Sequence, residues 1–331
     1  IEPDTIEPDT IEPDTIEPDT MALELGAGVS IDLVRIRAGR FLMGDLVGDG
    51  NLDEYPPSPV VLKKPFWMGS TEITNAQIRR LLPNHSSGVF TKRQIHTDGP
   101  GIQLDDASQP AVRVSWGEAI AFCERLSELT GRRVSLPTEA QWEYAARAGS
   151  RTHFSFGSRP TDFTLWANMA DRSLACIYST TSGVAVLQPI PAVMDRDDQA
   201  IGTARVASYQ PNAWGLWDMH GNAAEWTRSA YRPYPYDPND GRNDADFDST
   251  QKRVVRGGSF YDRPKRCGSA RREAYRAWQG VHDVGFRFVV EGDWVVLRVI
   301  SFSVFSARAP LAHLAFSSAV TRCSVLSFSS V

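Results

Sequence analysis

The stretch "PNAWGLWDMHGNAAEW", residues 211–226, sets the character of the fold. It holds three tryptophans, two glycines and two asparagines, and it follows neither the helical nor the strand period. Loops inside a compact body need internal partners for their backbone polar groups. The sequence therefore predicts an irregular body that is tied together by tryptophan packing, buried hydrogen bonds and bound cations.

One helix is well signalled on the N-terminal side of this stretch, in "VSWGEAIAFCERLSELTG" (114–131). Ser115 and Glu118 have the spacing of a capping box, and Gly131 suits the end of the helix. The predicted apolar stripe consists of Ala119, Phe122, Cys123, Leu126 and Leu129. On this stripe Cys123 is interpreted as a small buried hydrophobe.

A second helix is predicted in "PTEAQWEYAARAG" (137–149), with Thr138 as N-cap, Gln141 as its partner and Gly149 at the end. A shorter helix is expected after Thr74. The remaining strand-like pieces are short: "PFWMG" (65–69), "RVVRGGSF" (253–260) and "GFRFVV" (285–290). The predicted fold class is an irregular α+β fold with few helices, short strands and much loop.

Three regions differ in composition. Residues 1–20 are four copies of IEPDT, which predicts an extended, solvated tail. Residues 28–292 are expected to form the folded domain. Residues 293–331 contain no acid after Asp293, and we expect a poorly ordered appendage there. Its apolar run is interrupted by Arg298 and is too short for a membrane span.

The charge and cysteine content exclude several classes of protein. The formal charge is −5, and about +3 without the eight acids of the IEPDT repeats, so no basic excess indicates a nucleic-acid partner. The four cysteines are widely spaced, which argues against a zinc site and against a dense disulfide framework. We see no signal peptide pattern and expect a cytoplasmic protein.

Several motifs follow one another over about residues 30–290: "WMGSTEITNAQ" (67–77), "PAVRVSWGEAIAFC" (110–123), "LPTEAQWEYAARAG" (136–149), "PNAWGLWDMHGNAAEW" (211–226), and "RVVRGGSF" with "GFRFVV". Together, and in this order, they resemble the formylglycine-generating, or sulfatase-modifying-factor, family. The resemblance implies a C-type-lectin-like fold. It also implies an enzyme that oxidises a substrate cysteine with oxygen and copper, although other relatives serve as binding domains.

The resemblance points to an active site after the Gly-Gly-Ser-Phe turn. In the family two cysteines, five residues apart, hold copper(I). Here Cys267 matches the second and Asp262 replaces the first, while Ser259 and Arg271 match an active-site serine and arginine. Copper(I) is a soft ion that selects thiolate, whereas a carboxylate is a hard ligand. We therefore expect the parental reaction to be lost.

Three interpretations of Cys267 stay open from the sequence. The thiol is a vestige of a former active site, a reactive thiol in a different chemistry, or a packed core residue. Arg266 and Arg271 favour the second interpretation, since positive neighbours lower the pKa of a thiol. Cys176 lies in a loop whose position the sequence does not fix.

The resemblance also implies two calcium sites built from oxygen ligands, which suit this hard cation. The alternative is that the acids form solvated turns. The first set is Glu225 with Asn222 and the carbonyls near His220 and Ala223. The second set is Asn168, Asp198 and the carbonyls of Met169 and Ala200.

A non-catalytic binding module is the alternative function. In it a cleft between the Trp226 loop and residues 259–282 holds a peptide, a protein segment or a small ligand. Aromatic and arginine side chains are frequent anchors of binding surfaces. The predicted ligand-binding residues are Trp226, Tyr261, Arg263, Trp278 and His282.

Overall fold

The computed structural model describes residues 19–90, 101–175, 192–244, 248 and 250–292 of the chain. Cys176, most of the predicted N-terminal tail and the predicted C-terminal appendage lie outside these residues. Three helices are described along their full length: α1 (Asn75–Leu81), α2 (Trp116–Thr130) and α3 (Glu139–Arg147). None of the described helices is long and apolar enough to cross a membrane.

The three helices begin where the capping residues predict. The side chains of Thr74, Ser115 and Thr138 each accept a hydrogen bond from the backbone N–H three residues later. In each case the side chain at that third position returns a hydrogen bond to the cap, which satisfies two orphan N–H groups at once. Both predicted capping boxes are confirmed, and the helix after Thr74 has a third.

The helix ends differ slightly from the prediction. Gly131 caps α2 in the left-handed conformation, as expected, but α3 is capped by Ala148 in that conformation, one residue before Gly149. On the stripe of α2, Cys123 is buried as predicted. Leu129 was wrongly included, because in the last turn of the helix its side chain is 58% exposed.

The strands are short. In chain order they are β1 (Thr20–Glu24), β2 (Ser30–Ile36), β3 (Gly39–Met43), β4 (Ser58–Leu62), β5 (Phe66–Gly69), β6 (Val89–Phe90), β7 (Ile102–Gln103), β8 (Val134–Ser135), β9 (Ala224–Ala230), β10 (Lys252–Arg256), β11 (Glu273–Arg276), β12 (Val284–Gly285) and β13 (Val289–Glu291).

Two sheets organise the described residues. The first has the order β1-β2-β5-β13-β8 and is antiparallel throughout. The second has the order β11-β10-β9-β12, in which only β12 runs parallel to its neighbour. Two small pairs, β3-β4 and β6-β7, complete the described strands. The architecture is the irregular α+β fold that the sequence predicts.

The folded body begins before the predicted boundary at residue 28. Strand β1 starts at Thr20, inside the fourth IEPDT copy, and pairs with β2. Asp19 adds an ion pair with Arg35 and accepts the backbone N–H of that residue. At least the last two residues of the repeat region therefore belong to the body.

The predicted strand "GFRFVV" is divided between the two sheets. Val284–Gly285 pairs with β9 in the second sheet, and Val289–Glu291 pairs with β5 and β8 in the first. The three residues between them cross from one sheet to the other. The middle one of these is Arg287, whose side chain is fully buried.

Two buried tryptophans join α2 to β9 in a reciprocal way. The indole N–H of Trp116 donates to the carbonyl of Thr227 at 2.9 Å. The indole N–H of Trp226 donates back to the carbonyl of Val114 at 2.8 Å. Both rings are fully buried. Each therefore stabilises the contact through its apolar surface and through the hydrogen bond of its indole N–H.

The centre of the body is a buried ion pair between Glu225 on β9 and Arg287. The Nη2 of Arg287 lies 2.7 Å from Glu225 Oε1, and its Nε contacts both carboxylate oxygens. Trp142 of α3 adds its indole N–H to Glu225 at 2.8 Å. The other N–H groups of the guanidinium donate to the backbone carbonyls of Gly69, Ser70 and Trp217. One arginine thus joins β9, the end of β5 and the loop that contains Trp217.

Replacing Arg287 with methionine keeps much of the side-chain length but leaves the buried carboxylate of Glu225 without its counter-charge. We expect Arg287→Met to lower the free energy of unfolding by about 3–5 kcal/mol, the usual cost of breaking a buried pair. Urea unfolding measures this loss.

The control for this substitution is Arg133→Met. Arg133 also pairs with a glutamate, Glu291, at 3.2 Å, but its side chain is 72% exposed. Its loss should cost less than about 1 kcal/mol. Equal losses in the two variants would contradict the central role of Arg287.

Candidate functional site

A double-glycine turn after β10 forms the floor of the candidate site. Gly257 and Gly258 have φ values of +91° and +67°, a region that favours glycine. A Cβ on Gly258 would lie 2.6 Å from Cys267 Sγ and 2.7 Å from the carbonyl of Arg266. The turn therefore brings Ser259 and Cys267 together only because residue 258 has no side chain.

Cys267 is a packed and fully buried thiol. It lies in an apolar cluster with Phe154, Phe163, Ala167 and Met169. Its Sγ is 3.7 Å from the carbonyl oxygen of Asp262. Burial, reinforced by the negative charge of Asp262, raises the pKa of the Cys267 thiol well above its usual value. The effect that the neighbouring arginines were expected to have is overcome, and the geometry favours the packed-residue interpretation.

Ser259, Asp262 and Asp283, which we call the carboxyl cluster, meet beside this thiol. The Ser259 hydroxyl donates to Asp283 Oδ2 at 2.7 Å and lies 3.3 Å from Asp262 Oδ2. Asp262 Oδ1 is 3.1 Å from the Nε of Arg266. Burial raises the pKa of Asp262 to about 6, against the opposing effect of Arg266. Two carboxyl groups are thus joined through one hydroxyl.

Aromatic side chains lie next to the carboxyl cluster. His282 stacks on Phe90 with a centroid distance of 4.6 Å and meets Tyr261 edge to face at 5.6 Å. The Tyr261 backbone N–H donates to the Ser259 hydroxyl. Burial lowers the pKa of His282, so its imidazole is neutral at pH 7. The predicted residues Tyr261 and His282 therefore do adjoin Ser259 and Asp262.

Arg271 lies at the other end of an ion-pair chain. Arg266 reaches Glu273 at 2.6 Å, and Arg271 contacts the same carboxylate and, at 3.6 Å, Glu54. It also lines an open groove of about 730 Å³ with Asn51, Leu52 and Tyr231 among others. The described contacts of Arg271 do not include Ser259 or Cys267, so the structure does not join it to them directly.

The other three predicted ligand-binding residues fall into two groups. Trp226 is fully buried against Tyr275 and donates to a backbone carbonyl, so the prediction that it lines a cleft is wrong. Its apolar surface is used in the core. Arg263 is exposed, and Trp278 is 60% exposed, so both are accessible to a ligand.

The predicted calcium set around Glu225 fits a cation poorly. Both oxygens of Glu225 are occupied by Arg287 and Trp142, so its charge is already balanced. The side-chain oxygen of Asn222 also has protein donors, since it accepts hydrogen bonds from the Asn168 amide and the Ala204 backbone N–H. Calcium requires several free oxygen ligands. The side chains of this predicted set are used in protein contacts.

The carbonyls near His220 and Ala223 are the other predicted ligands of this set, and the contacts described for these two residues involve other atoms. The Nδ1 of His220 lies 2.8 Å from the Cys267 carbonyl, and its Nε2 accepts the backbone N–H of Ser155 at 3.0 Å. Burial lowers the pKa of His220 to about 4, so the ring is neutral. The N–H of Ala223 donates to the buried carboxyl of Glu72. His220 is a hydrogen-bonded loop residue.

The second predicted set fits a cation better. Asn168 Oδ1 is buried and has no hydrogen-bond partner. The carboxylate of Asp198 accepts the backbone N–H groups of Met169 and Ala200, both at 2.9 Å. Burial, together with the negative charge of Asp171, raises the pKa of Asp198 to about 7. An unpartnered acceptor and an uncompensated carboxyl group are what a bound cation would satisfy.

No three histidine, cysteine, aspartate or glutamate side chains converge on a possible metal position within the described part of the chain. A cation at the Asp198 loop would depend on amide and carbonyl oxygens as well.

Sequence reasoning missed Asp283 and Phe90. Asp283 stands beside His282 in "QGVHDVGF" (279–286), directly before a strand, and this position could have indicated it.

Comparisons with known proteins agree on one family. A model of the sulfatase-modifying factor enzyme 1-like domain matches residues 28–292. The formylglycine-generating enzyme of Streptomyces coelicolor is 28% identical over 301 residues, which cover 78% of this chain and 89% of that protein. The inactive C-alpha-formylglycine-generating enzyme 2 of Mus musculus is also 28% identical, over 72% of this chain and 78% of that protein.

Solved structures share the fold. PvdO from Pseudomonas aeruginosa has a TM-score of 0.62 at 24% identity, covering 82% of this chain and 98% of that chain. Treponema denticola variable protein 1 has a TM-score of 0.63 at 21% identity, covering 83% and 100%. These likenesses confirm the predicted C-type-lectin-like fold class and carry no further conclusion about activity.

The raised pKa of Asp262 predicts a pH-dependent loss of stability. The folded state keeps a proton on Asp262 that the unfolded state releases near pH 3.9. The contribution of Asp262 to the free energy of unfolding is therefore fully present below that pH. It is lost as the pH rises through about 6. From pH 4 to pH 7, the free energy of unfolding should fall by up to about 3 kcal/mol relative to Asp262→Asn. Urea unfolding at several pH values measures the difference.

The control is Asp237→Asn, at an exposed position outside the carboxyl cluster. Its pH profile should follow that of the unmodified protein. Parallel profiles for the unmodified protein and Asp262→Asn would contradict the raised pKa.

Proposed function

Because the chain belongs to the family of the sulfatase-modifying factor enzyme 1-like domain, we propose its function from the donor atoms around Cys267. The chain does not hold copper(I) as a pair of thiolates and does not oxidise a substrate cysteine by that route. It is a ligand-binding protein whose site is the carboxyl cluster with Tyr261 and His282 beside it.

The observation that carries this proposal is that Asp262 adjoins the buried thiol of Cys267, whose described polar neighbours include no second cysteine. The polar atoms near Cys267 Sγ are the backbone carbonyls of Ser259 and Asp262, at 3.9 and 3.7 Å. Oxygen donors suit hard cations, whereas copper(I) selects sulfur. The thiol also has a raised pKa, and copper(I) would have to be bound by the thiolate. This donor set does not fit copper(I).

Sequence similarity alone does not decide between an enzyme and a binding protein. The two relatives described above are equally identical to this chain, and one is named an enzyme while the other is named inactive. The choice therefore depends on individual residues. Asp262 is the residue whose chemistry departs from the family's copper pair.

Aromatic and charged side chains support ligand binding at this face. Tyr261 and His282 are partly accessible, and Arg263 and Trp278 are exposed in the same segment. Such side chains contribute much of the binding energy of protein interfaces. A peptide, a protein segment or a small molecule is the proposed class of ligand.

A structural calcium ion is proposed for the loop of Asn168 and Asp198, with the carbonyls of Met169 and Ala200. The unpartnered Asn168 oxygen and the partly buried Asp198 carboxyl supply acceptors that suit calcium. The ion would tie together loops that no sheet ladder joins. We make no such proposal for Glu225, whose charge is balanced by Arg287.

Copper(I) titration of the reduced protein tests the proposed loss of oxidation chemistry. We expect weak binding by the unmodified protein. Asp262→Cys should raise the affinity by at least about a hundredfold, the upper end of what outer-shell changes alone cause. Competition with a chromogenic copper(I) chelator measures both affinities.

Two controls accompany this titration. Asp262→Asn removes the charge without adding sulfur, and Asp237→Cys adds an exposed thiol away from Cys267. Neither should gain the affinity of Asp262→Cys. Tight binding by the unmodified protein that is lost in Cys267→Ser, or its conversion of a sulfatase peptide to the aldehyde, would refute the proposal.

Calcium removal tests the structural ion. A calcium chelator should lower the melting temperature by several degrees, because saturation at a hundred times the Kd stabilises a protein by about 2.7 kcal/mol. Asp198→Asn should abolish the response to calcium. Asp195→Asn, in the same loop but with a 74% exposed side chain, should keep it. An unchanged melting curve in chelator and in calcium would contradict the ion.

A further inference from the structure

The carboxyl cluster contains a buried acceptor that no described group satisfies. Asp283 is 8% exposed, and its Oδ2 accepts the Ser259 hydroxyl. Its Oδ1 is buried and has no hydrogen-bond partner. The Nδ1 of His282 lies 3.8 Å from this oxygen, beyond hydrogen-bond distance, and burial lowers the pKa of that imidazole. A buried carboxylate oxygen without a protein donor is open to a donor from outside the chain.

The carboxyl cluster has fewer hydrogen-bond donors than its carboxylate acceptors need. The Ser259 oxygen already accepts the Tyr261 N–H at 3.2 Å and donates its only hydrogen to Asp283. That hydroxyl therefore has no second hydrogen for Asp262 Oδ2, which lies 3.3 Å away. A donor from outside is needed to satisfy the acceptors that remain.

The charges of the cluster are unbalanced above pH 6. The guanidinium groups of Arg266 and Arg271 pair with Asp262 and Glu273, and the described ion pairs of Asp283 include neither arginine. Arg271 is shared with a further carboxylate at Glu54, 3.6 Å away. One or two negative charges are thus left without a partner, and a ligand that enters the cluster gains from being a cation.

The walls beside the cluster favour an organic cation. His282, Phe90 and Tyr261 form a contiguous aromatic group, with ring centroids 4.6 to 5.6 Å apart. The Nε2 of His282 is also buried and has no hydrogen-bond partner. Aromatic faces attract ammonium groups, and a neutral imidazole nitrogen accepts one of their hydrogens.

We infer that the carboxyl cluster and its aromatic wall bind the primary ammonium group of a ligand. The ammonium donates to Asp283 Oδ1 and to His282 Nε2 and balances the excess carboxylate charge, while the alkyl chain lies along Tyr261 and Phe90. This inference rests on the proposed ligand-binding function and names the chemical group that the site selects. A metal ion fits less well, since no three metal-ligating side chains converge among the described residues.

Saturation-transfer NMR with the full chain tests this assignment, with n-butylammonium as the probe and n-butanol as its neutral isostere at equal ionic strength. We expect n-butylammonium to bind, and n-butanol to bind at least about tenfold more weakly, because hydrogen bonds to charged groups are the strong ones. Equal binding of the two compounds overturns the assignment.

Two variants locate the binding. Asp283→Asn should weaken n-butylammonium at least about tenfold, and Asp262→Asn should also weaken it, which keeps the test valid if one variant does not fold. Asp237→Asn, whose carboxylate is exposed, is the matched control and should bind like the unmodified protein. Unchanged binding in the folded Asp283→Asn or Asp262→Asn protein refutes the site.

Two further probes distinguish the sources of the ammonium group. Nα-acetyl-lysine amide offers a side-chain amine and glycinamide offers an α-amine, and the tighter of the two identifies the class of ligand. If copper(I) binds weakly but no amine binds, the inference fails while the loss of oxidation chemistry stands. If copper(I) binds tightly, the proposed function fails, whatever the amines do. Binding of a divalent cation that Asp283→Asn abolishes, without amine binding, assigns the site to a metal and overturns the inference.

Discussion

The buried pair of Glu225 and Arg287 is the constraint on which the rest of the structure depends. Arg287 lies on the crossing between β12 and β13, where the chain passes from one sheet to the other. Its guanidinium reaches the Glu225 carboxylate and the carbonyls of Gly69 at the end of β5, Ser70 and Trp217. A fold with so little regular structure has few ladders to fix its loops, and a planar group with five donors substitutes for them. As a consequence, neither oxygen of Glu225 is free to bind a cation.

The use of both Glu225 oxygens by protein donors explains why the two predicted calcium sets differ. Both contain an asparagine and an acid, and sequence pattern treats them alike. In the folded chain Glu225 has an arginine and Asp198 does not, so only the Asp198 loop keeps uncompensated acceptors. The same ligand types thus bind protein groups around Glu225 and form a candidate cation site around Asp198. The deciding partner, Arg287, is 62 residues from Glu225 in sequence.

What the sequence predicts well is local. Capping boxes at Ser115 and Thr138 act within one helical turn, so their residues suffice to locate the helix starts. The state of Cys267 is not local in this sense. Arg266 is its neighbour in sequence, yet its guanidinium pairs with Asp262 and Glu273, while burial controls the thiol pKa. The burial of Trp226 was missed for a similar reason, because a tryptophan in a loop motif suits a cleft wall and a core equally well until its partners are known.

The replacement of a soft ligand by a carboxylate changes more than metal preference. A thiol in place of Asp262 would add little charge to the site while protonated. Asp262 instead places a second carboxyl group next to Asp283 and leaves Ser259 with one hydrogen to share between them. Because both groups are about nine-tenths buried, solvent does not screen the resulting charge well. The proposed loss of the copper donor and the proposed need for a cationic donor therefore have the same physical origin, the carboxyl group of Asp262.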